Sequence, residues 1–275
     1  MTVCLAIMTK AEGAVVVVAD RMVTGGMPEV EFEHEGSKIE RLTNHCMALT
    51  AGDALAGVTL FRAVRHRLAD VEGDEPCVAA VAEHVRDEFL RQRLRRAEQL
   101  LLEPRGTNLK EFYGTKIQEW PKEIVAGLDR EIQTHEYGLQ VLIAGVDTEP
   151  HLYVVADPAI AHCFDALGFS AIGSGAPLAM LQCISRSSGP ARTINEALYT
   201  AHEAKLNAEP TPGVGQETDI ALIRSSGVYE LPEEAVRRLR ENQLKQREQA
   251  TPVVDQTLAQ LCLLPEEEVR GDART

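Results

Sequence analysis

Two short stretches limit what this chain can become. "VVVVAD" (15–20) and "VLIAGVD" (141–147) are almost unbroken apolar runs, each closed by an aspartate. A strand with one wet face alternates apolar and polar residues, so runs of this kind read as strands covered on both faces. Aromatic residues make up only 4% of the 275, so the covering layers must be built mostly from Val, Leu, Ile and Ala.

The segments around these runs divide cleanly. "TVCLAIMT" reads as a strand that forms a hairpin with "VVVVAD" through the turn "EGA", and "SKIERL" and "CMALTAG" add two more, the latter ending at Gly52. Helical spacing begins after Asp53, a good N-cap, with Leu55, Val58, Thr59, Phe61 and Val64 near one face. A second helix covers "PCVAAVAEHVRDEFLRQRLRRAEQLL". The next stretch is mixed, charged and broken by Pro104, Gly106, Gly114 and Pro121, which predicts an insertion of short helices over about 97–136.

Strands return in "LQVLIAGVD", "HLYVVAD" and "AHCFDALGFSAIG". Two helices follow, "GAPLAMLQCISRS" and "TINEALYTAHEAKLN", the second with Thr193 as a cap. "TDIALIRSSGVYEL" predicts a strand pair, and "PEEAVRRLRENQLKQREQ" a charged helix with proline in its first turn. This order is not a βαβ alternation. It predicts an α+β fold in which two antiparallel sheets pack together under helices on both outer faces. The expected organisation is a single domain over 2–250 and a tail over 251–275.

Composition excludes several classes. A formal charge of −14 disfavours nucleic-acid backbones and anionic membranes. The six cysteines form no C-x-x-C pair and read as reduced core residues. No basic segment leads into a long apolar run at the start, so a cytoplasmic protein is expected. His34 and His45 lack metal-motif context, so neither a metal nor another cofactor is expected.

The ordered motifs "TVCLAIM", "VVVVADRMVT", "GSKIERL", "CMALTAGDALAG", "VLIAGVDTEPHLYVVAD", "AIGSGAPLAML" and "TDIALIRSSGVYELPEE" together resemble a proteasome β-type subunit, a member of the N-terminal nucleophile hydrolases. The resemblance spans roughly 2–240 apart from the insertion. It implies a four-layer αββα sandwich and a threonine endopeptidase. Thr2 matches the nucleophile once Met1 is removed. Its freed α-amine, with an ordinary pKa of about 7.7–8.0, supplies the base. Asp20 and Lys38 match the acid and cation that favour the alkoxide. Gly52 matches the oxyanion-hole glycine, and Ser174 a serine beside the nucleophile. Thr24 and Ala51 match contacts to a substrate strand; Thr50, with Met47, is expected near the first specificity pocket.

The same resemblance implies a homo-oligomeric ring that takes unfolded protein or peptide and works with an unfoldase ATPase. One departure stands out. The loop "EPTPGVGQETD" carries Thr211 and Val214 where active relatives carry an aspartate and a serine, while Asp219 lies further on, in the strand. Two alternatives stay open at this point, an amidase acting on a small amide and a non-catalytic ring scaffold.

Overall fold

A computed structural model describes residues 2–25, 30–34, 36–70, 75–186 and 191–261, with the backbone alone for 24, 25, 30, 31 and 250–261. The chain divides into two compact units, Met1–Leu231 and Pro232–Thr275. The first begins with β1 (Cys4–Thr9), β2 (Ala14–Asp20), β3 (Met22–Gly25), β4 (Val30–Glu33), β5 (Ile39–Arg41) and β6 (Cys46–Gly52). Helices α1 (Ala54–Ala69) and α2 (Val78–Ala97) follow. The region after them holds single-turn α3 (Leu109–Glu111) and α4 (Ile117–Glu119), then α5 (Lys122–Thr134). The unit continues with β7 (Leu139–Val146), β8 (Pro150–Ala156), β9 (Ile160–Cys163), β10 (Phe169–Ile172), α6 (Ala176–Ser185), α7 (Ile194–Ala208), β11 (Thr218–Arg224) and β12 (Gly227–Glu230).

The architecture is mixed α+β. One five-stranded sheet runs β10-β1-β2-β11-β12 and another β5-β6-β7-β8-β9, with β3 and β4 forming a separate ribbon. Every strand pairing among the described residues is antiparallel. Interior strands run six to eight residues, whereas the four rim strands β5, β9, β10 and β12 run only three or four.

Side-chain alternation sends the apolar residues of each strand to opposite faces of its sheet. Cys4, Ala6 and Met8 of β1 and Val15, Val17 and Ala19 of β2 meet Met47 and Leu49 of β6 and Leu142, Ala144 and Val146 of β7. The opposite face of the second sheet, with Ala48, Val141 and Ile143, packs on Leu60, Phe61 and Val64 of α1 and Val81, Val85 and Phe89 of α2. Helix α7 lies against β1 and β2, and α6 against β10. Every residue of β2 is therefore buried, which is why 15–20 can dispense with polar alternation.

Several local expectations need correction. The buried face of α1 is Ala56, Gly57, Leu60, Phe61 and Val64; Leu55, Val58 and Thr59 are exposed. The helix turns its small residues inward because it crosses close to β6, where a Cβ added at Gly57 would lie 3.3 Å from Thr50 Cγ2. "AHCFDALGFSAIG" is divided between sheets, β9 pairing with β8 and β10 with β1. The polar stretch after Asp20, partly extended in character by sequence, does form a ribbon, β3 pairing with β4. Cys77 and Cys163 are exposed rather than in a core, while Cys4, Cys46 and Cys183 are buried thiols; Cys262 lies outside the described residues.

The region expected as an insertion has its own small core of Leu102, Phe112, Leu128 and Ile132, backed by Trp120 and Leu109. In the second unit, α8 (Glu233–Leu261) runs on past residue 250, where the tail was expected to begin. No helix among the described residues is long and apolar enough to cross a membrane.

Leu49 is fully buried between the sheets. Leu49→Ala is expected to cost about 2–5 kcal/mol, measured as a lower urea midpoint at unchanged slope.

Candidate functional site

The β1–β2 hairpin brings its two ends together. Thr2 immediately precedes β1, and Asp20 is the last residue of β2. Lys38, just before β5, reaches the same point. Thr2 Oγ1 donates to Asp20 Oδ1 and accepts from Lys38 Nζ, both in very short contacts. Lys38 Nζ lies 3.0 Å from each Asp20 oxygen.

The Asp20 side chain is 0% exposed. A carboxylate taken out of water must be paired and hydrogen-bonded, and this one is both. Besides Lys38 and Thr2, it accepts backbone N–H bonds from Val3 (2.8 Å), Met22 (3.0 Å) and Gly215 (3.1 Å). Three sequence-predicted residues, Thr2, Asp20 and Lys38, thus form one hydrogen-bonded cluster.

Ser174 joins the cluster from the turn before α6. Its Oγ accepts from Thr2 N–H at 3.2 Å and donates to Thr2 O at 3.4 Å. Both neighbours of Ser174 take part, and the first must be glycine. Gly173 has φ +92°, and a Cβ there would lie 2.3 Å from Thr2 O; Gly175 N–H donates to that oxygen at 3.1 Å. Gln140 Oε1 accepts from Gly173 N–H at 2.9 Å and fixes the turn from β7.

A cavity of about 510 Å³ opens beside Thr2, lined in part by Ala51, Gly52, Gln140, Gly173 and Ser174. Gly52 has φ +111° at the end of β6, and a Cβ there would sit 2.2 Å from Gly138 O. No other residue type fits this approach. Among the described residues, the charged side chains lining the cavity are Glu136 and Asp157, both acidic. Asp157 accepts from Tyr137 and Gly138 N–H groups, whereas Glu136 is exposed.

Other expected residues lie elsewhere. Thr50 faces Gly57 of α1 and is outside the cavity lining; its carbonyl accepts the Cys4 thiol at 3.4 Å. Met47 is buried between the sheets. Thr24 lies in β3, its side chain outside the described residues. Asp219 Oδ1 pairs with Arg21 at 2.8 Å (Nε) and 2.5 Å (Nη2). His34 Nδ1 takes a bond from Gly36 N–H, and His45 contacts Glu75, so each has a local partner.

Cys4, two residues from Thr2, is a poor nucleophile: burial pushes its thiol up to about 12, outweighing the pull of Lys38. Sequence reasoning missed Gln140, Glu136, Asp157 and Gly215. Gln140 alone left a signal, as the single polar side chain in an apolar strand. No protein-family model matches the chain, and no curated protein matches it.

Asp20→Ala is expected to destabilise the first unit by about 3–5 kcal/mol, because it strands the Lys38 ammonium and three N–H donors. Equilibrium urea unfolding measures the loss.

Proposed function

We propose that the chain is a threonine endopeptidase of the N-terminal nucleophile class, built as a four-layer αββα sandwich and acting after Met1 is removed. The observation that carries this reading is the Thr2 hydroxyl held between a buried carboxylate and an ammonium. With Met1 attached, the Thr2 nitrogen is an amide and has no basicity. Once freed, it is an amine on the same residue as the attacking oxygen.

In the proposed reaction, Thr2 Oγ1 attacks the substrate carbonyl carbon and passes its proton to the α-amine. Lys38 offsets the charge developing on Oγ1, and Asp20 holds Lys38. The tetrahedral intermediate collapses to an ester on Thr2 as the C–N bond breaks, and the departing amine takes a proton from the α-ammonium. Water then adds to the ester carbonyl, releasing the acid and restoring the hydroxyl. Gly52, in the cavity wall, is the proposed oxyanion donor, and Ala51 and Thr24 are proposed contacts to a substrate strand. Ser174 orients the Thr2 nitrogen. Thr50, turned toward α1, is not assigned a pocket role.

The proposed substrate is an unfolded protein or peptide, and the proposed assembly a cytoplasmic homo-oligomeric ring served by an unfoldase ATPase. The exposed Glu136 carboxylate in the lining favours a cationic substrate side chain in the cavity, whereas Asp157 is already paired with Arg93 at 3.8 Å.

Intact-mass spectrometry of the purified protein is expected to show loss of Met1, and Thr2→Ala to abolish peptide hydrolysis with the fold intact by circular dichroism. Retention of Met1 in an actively hydrolysing preparation would falsify the mechanism. In a matched peptide panel, Arg- or Lys-bearing substrates are expected to be cleaved about tenfold faster than Glu-bearing ones, as a difference of about 1.4 kcal/mol implies. Equal rates remove the assigned role of Glu136.

A further inference from the structure

The third backbone donor to Asp20 comes from the loop before β11, the segment that lacks the acid and serine of the resembled family. Gly215 N–H reaches Asp20 Oδ2 at 3.1 Å. A loop donor is only as well placed as the loop, and two side chains hold this one.

From one side, Glu33 Oε1 accepts the next two N–H groups, Gln216 at 2.7 Å and Glu217 at 3.3 Å. From the other, the fully buried Lys205 Nζ donates to Gln216 O at 2.7 Å and to Glu209 Oε1 at 2.7 Å. Gly215 lies tight against the ribbon: a Cβ there would lie 2.5 Å from Glu33 Oε1 and 2.9 Å from Met22 Cβ. Glu33 pairs directly with Met22 across the ribbon, and Met22 N–H is itself a donor to Asp20. A second tie, His34 N–H to Arg21 O at 3.1 Å, fixes the same register.

We propose that Glu33 is a positioning residue: it latches the β3–β4 ribbon to the 215–217 loop and so sets two of the backbone donors on the carboxylate that orients Thr2 and Lys38. The inference rests on the reading of Thr2 as nucleophile. Glu33 touches neither Thr2 nor Lys38; it works through Gly215 and Met22. Its side chain is exposed, so replacing it opens no core. A glutamine keeps one carbonyl oxygen able to accept both loop N–H groups, whereas an alanine keeps none.

The test compares wild type, Glu33→Ala and Glu33→Gln by amide hydrogen exchange over 215–217, by the rate of covalent labelling of Thr2 with a β-lactone, and by kcat and KM. Glu33→Ala is expected to exchange about tenfold faster over 215–217. It is expected to lose about 10–100-fold in kcat and in labelling rate through misplacement of the reacting group, with KM nearly unchanged. Glu33→Gln is expected to restore most of both. Unchanged exchange in Glu33→Ala overturns the latch. Faster exchange with an unchanged labelling rate, or failure of Glu33→Gln to rescue, overturns the positioning role. A wild type that neither labels nor hydrolyses refutes the nucleophile reading instead, and exchange then decides the latch alone.

Discussion

The buried carboxylate of Asp20 is the constraint around which the rest of the site is arranged. An isolated ionised group in that position would be heavily penalised by loss of water. Here an ammonium, a hydroxyl and three backbone N–H groups replace the water, and they come from residues 2, 3, 22, 38 and 215. Those positions are scattered along most of the first unit. The site therefore exists only when the hairpin, the ribbon and the loop before β11 are all in place. Local chain structure supplies little of it.

Close backbone approach is the second requirement. At Gly52 and Gly173 the chain passes within reach of a neighbouring carbonyl in a left-handed conformation that a side chain would block. Both glycines border the cavity beside Thr2. The strand-to-helix turns after β6 and β10 thus both bring main chain to the wall of that cavity without a side chain to fill it. Gln140, from a third element, braces the second turn by accepting the Gly173 N–H.

What could be read from the amino-acid order follows from these facts. The doubly covered strands were legible because burial on both faces erases polar alternation, as in 15–20. Thr2, Asp20 and Lys38 were named through the resemblance, which could point to them because each contributes by its own side chain. Gly215 was not: its contribution is a backbone N–H, which every residue except proline possesses. Glu33 was hidden in a polar stretch whose ribbon register decides what it faces. The orientation of α1 was misjudged for a related reason. Leu55 and Val58 weigh more on any apolar scale than Ala56 and Gly57, yet only small residues fit where the helix crosses β6. The same crossing turns the Thr50 side chain toward Gly57.

The brevity of the outermost strands has a consequence for the chain's fate in a crowded solution. Valine-rich segments such as 15–18 are prone to stack with copies of themselves when their hydrogen-bonding edges are open. Among the described residues each such segment is flanked on both sides, and the sheet edges offer only three or four residues of ladder. Fibril growth thus has little template on the folded molecule and depends on prior unfolding.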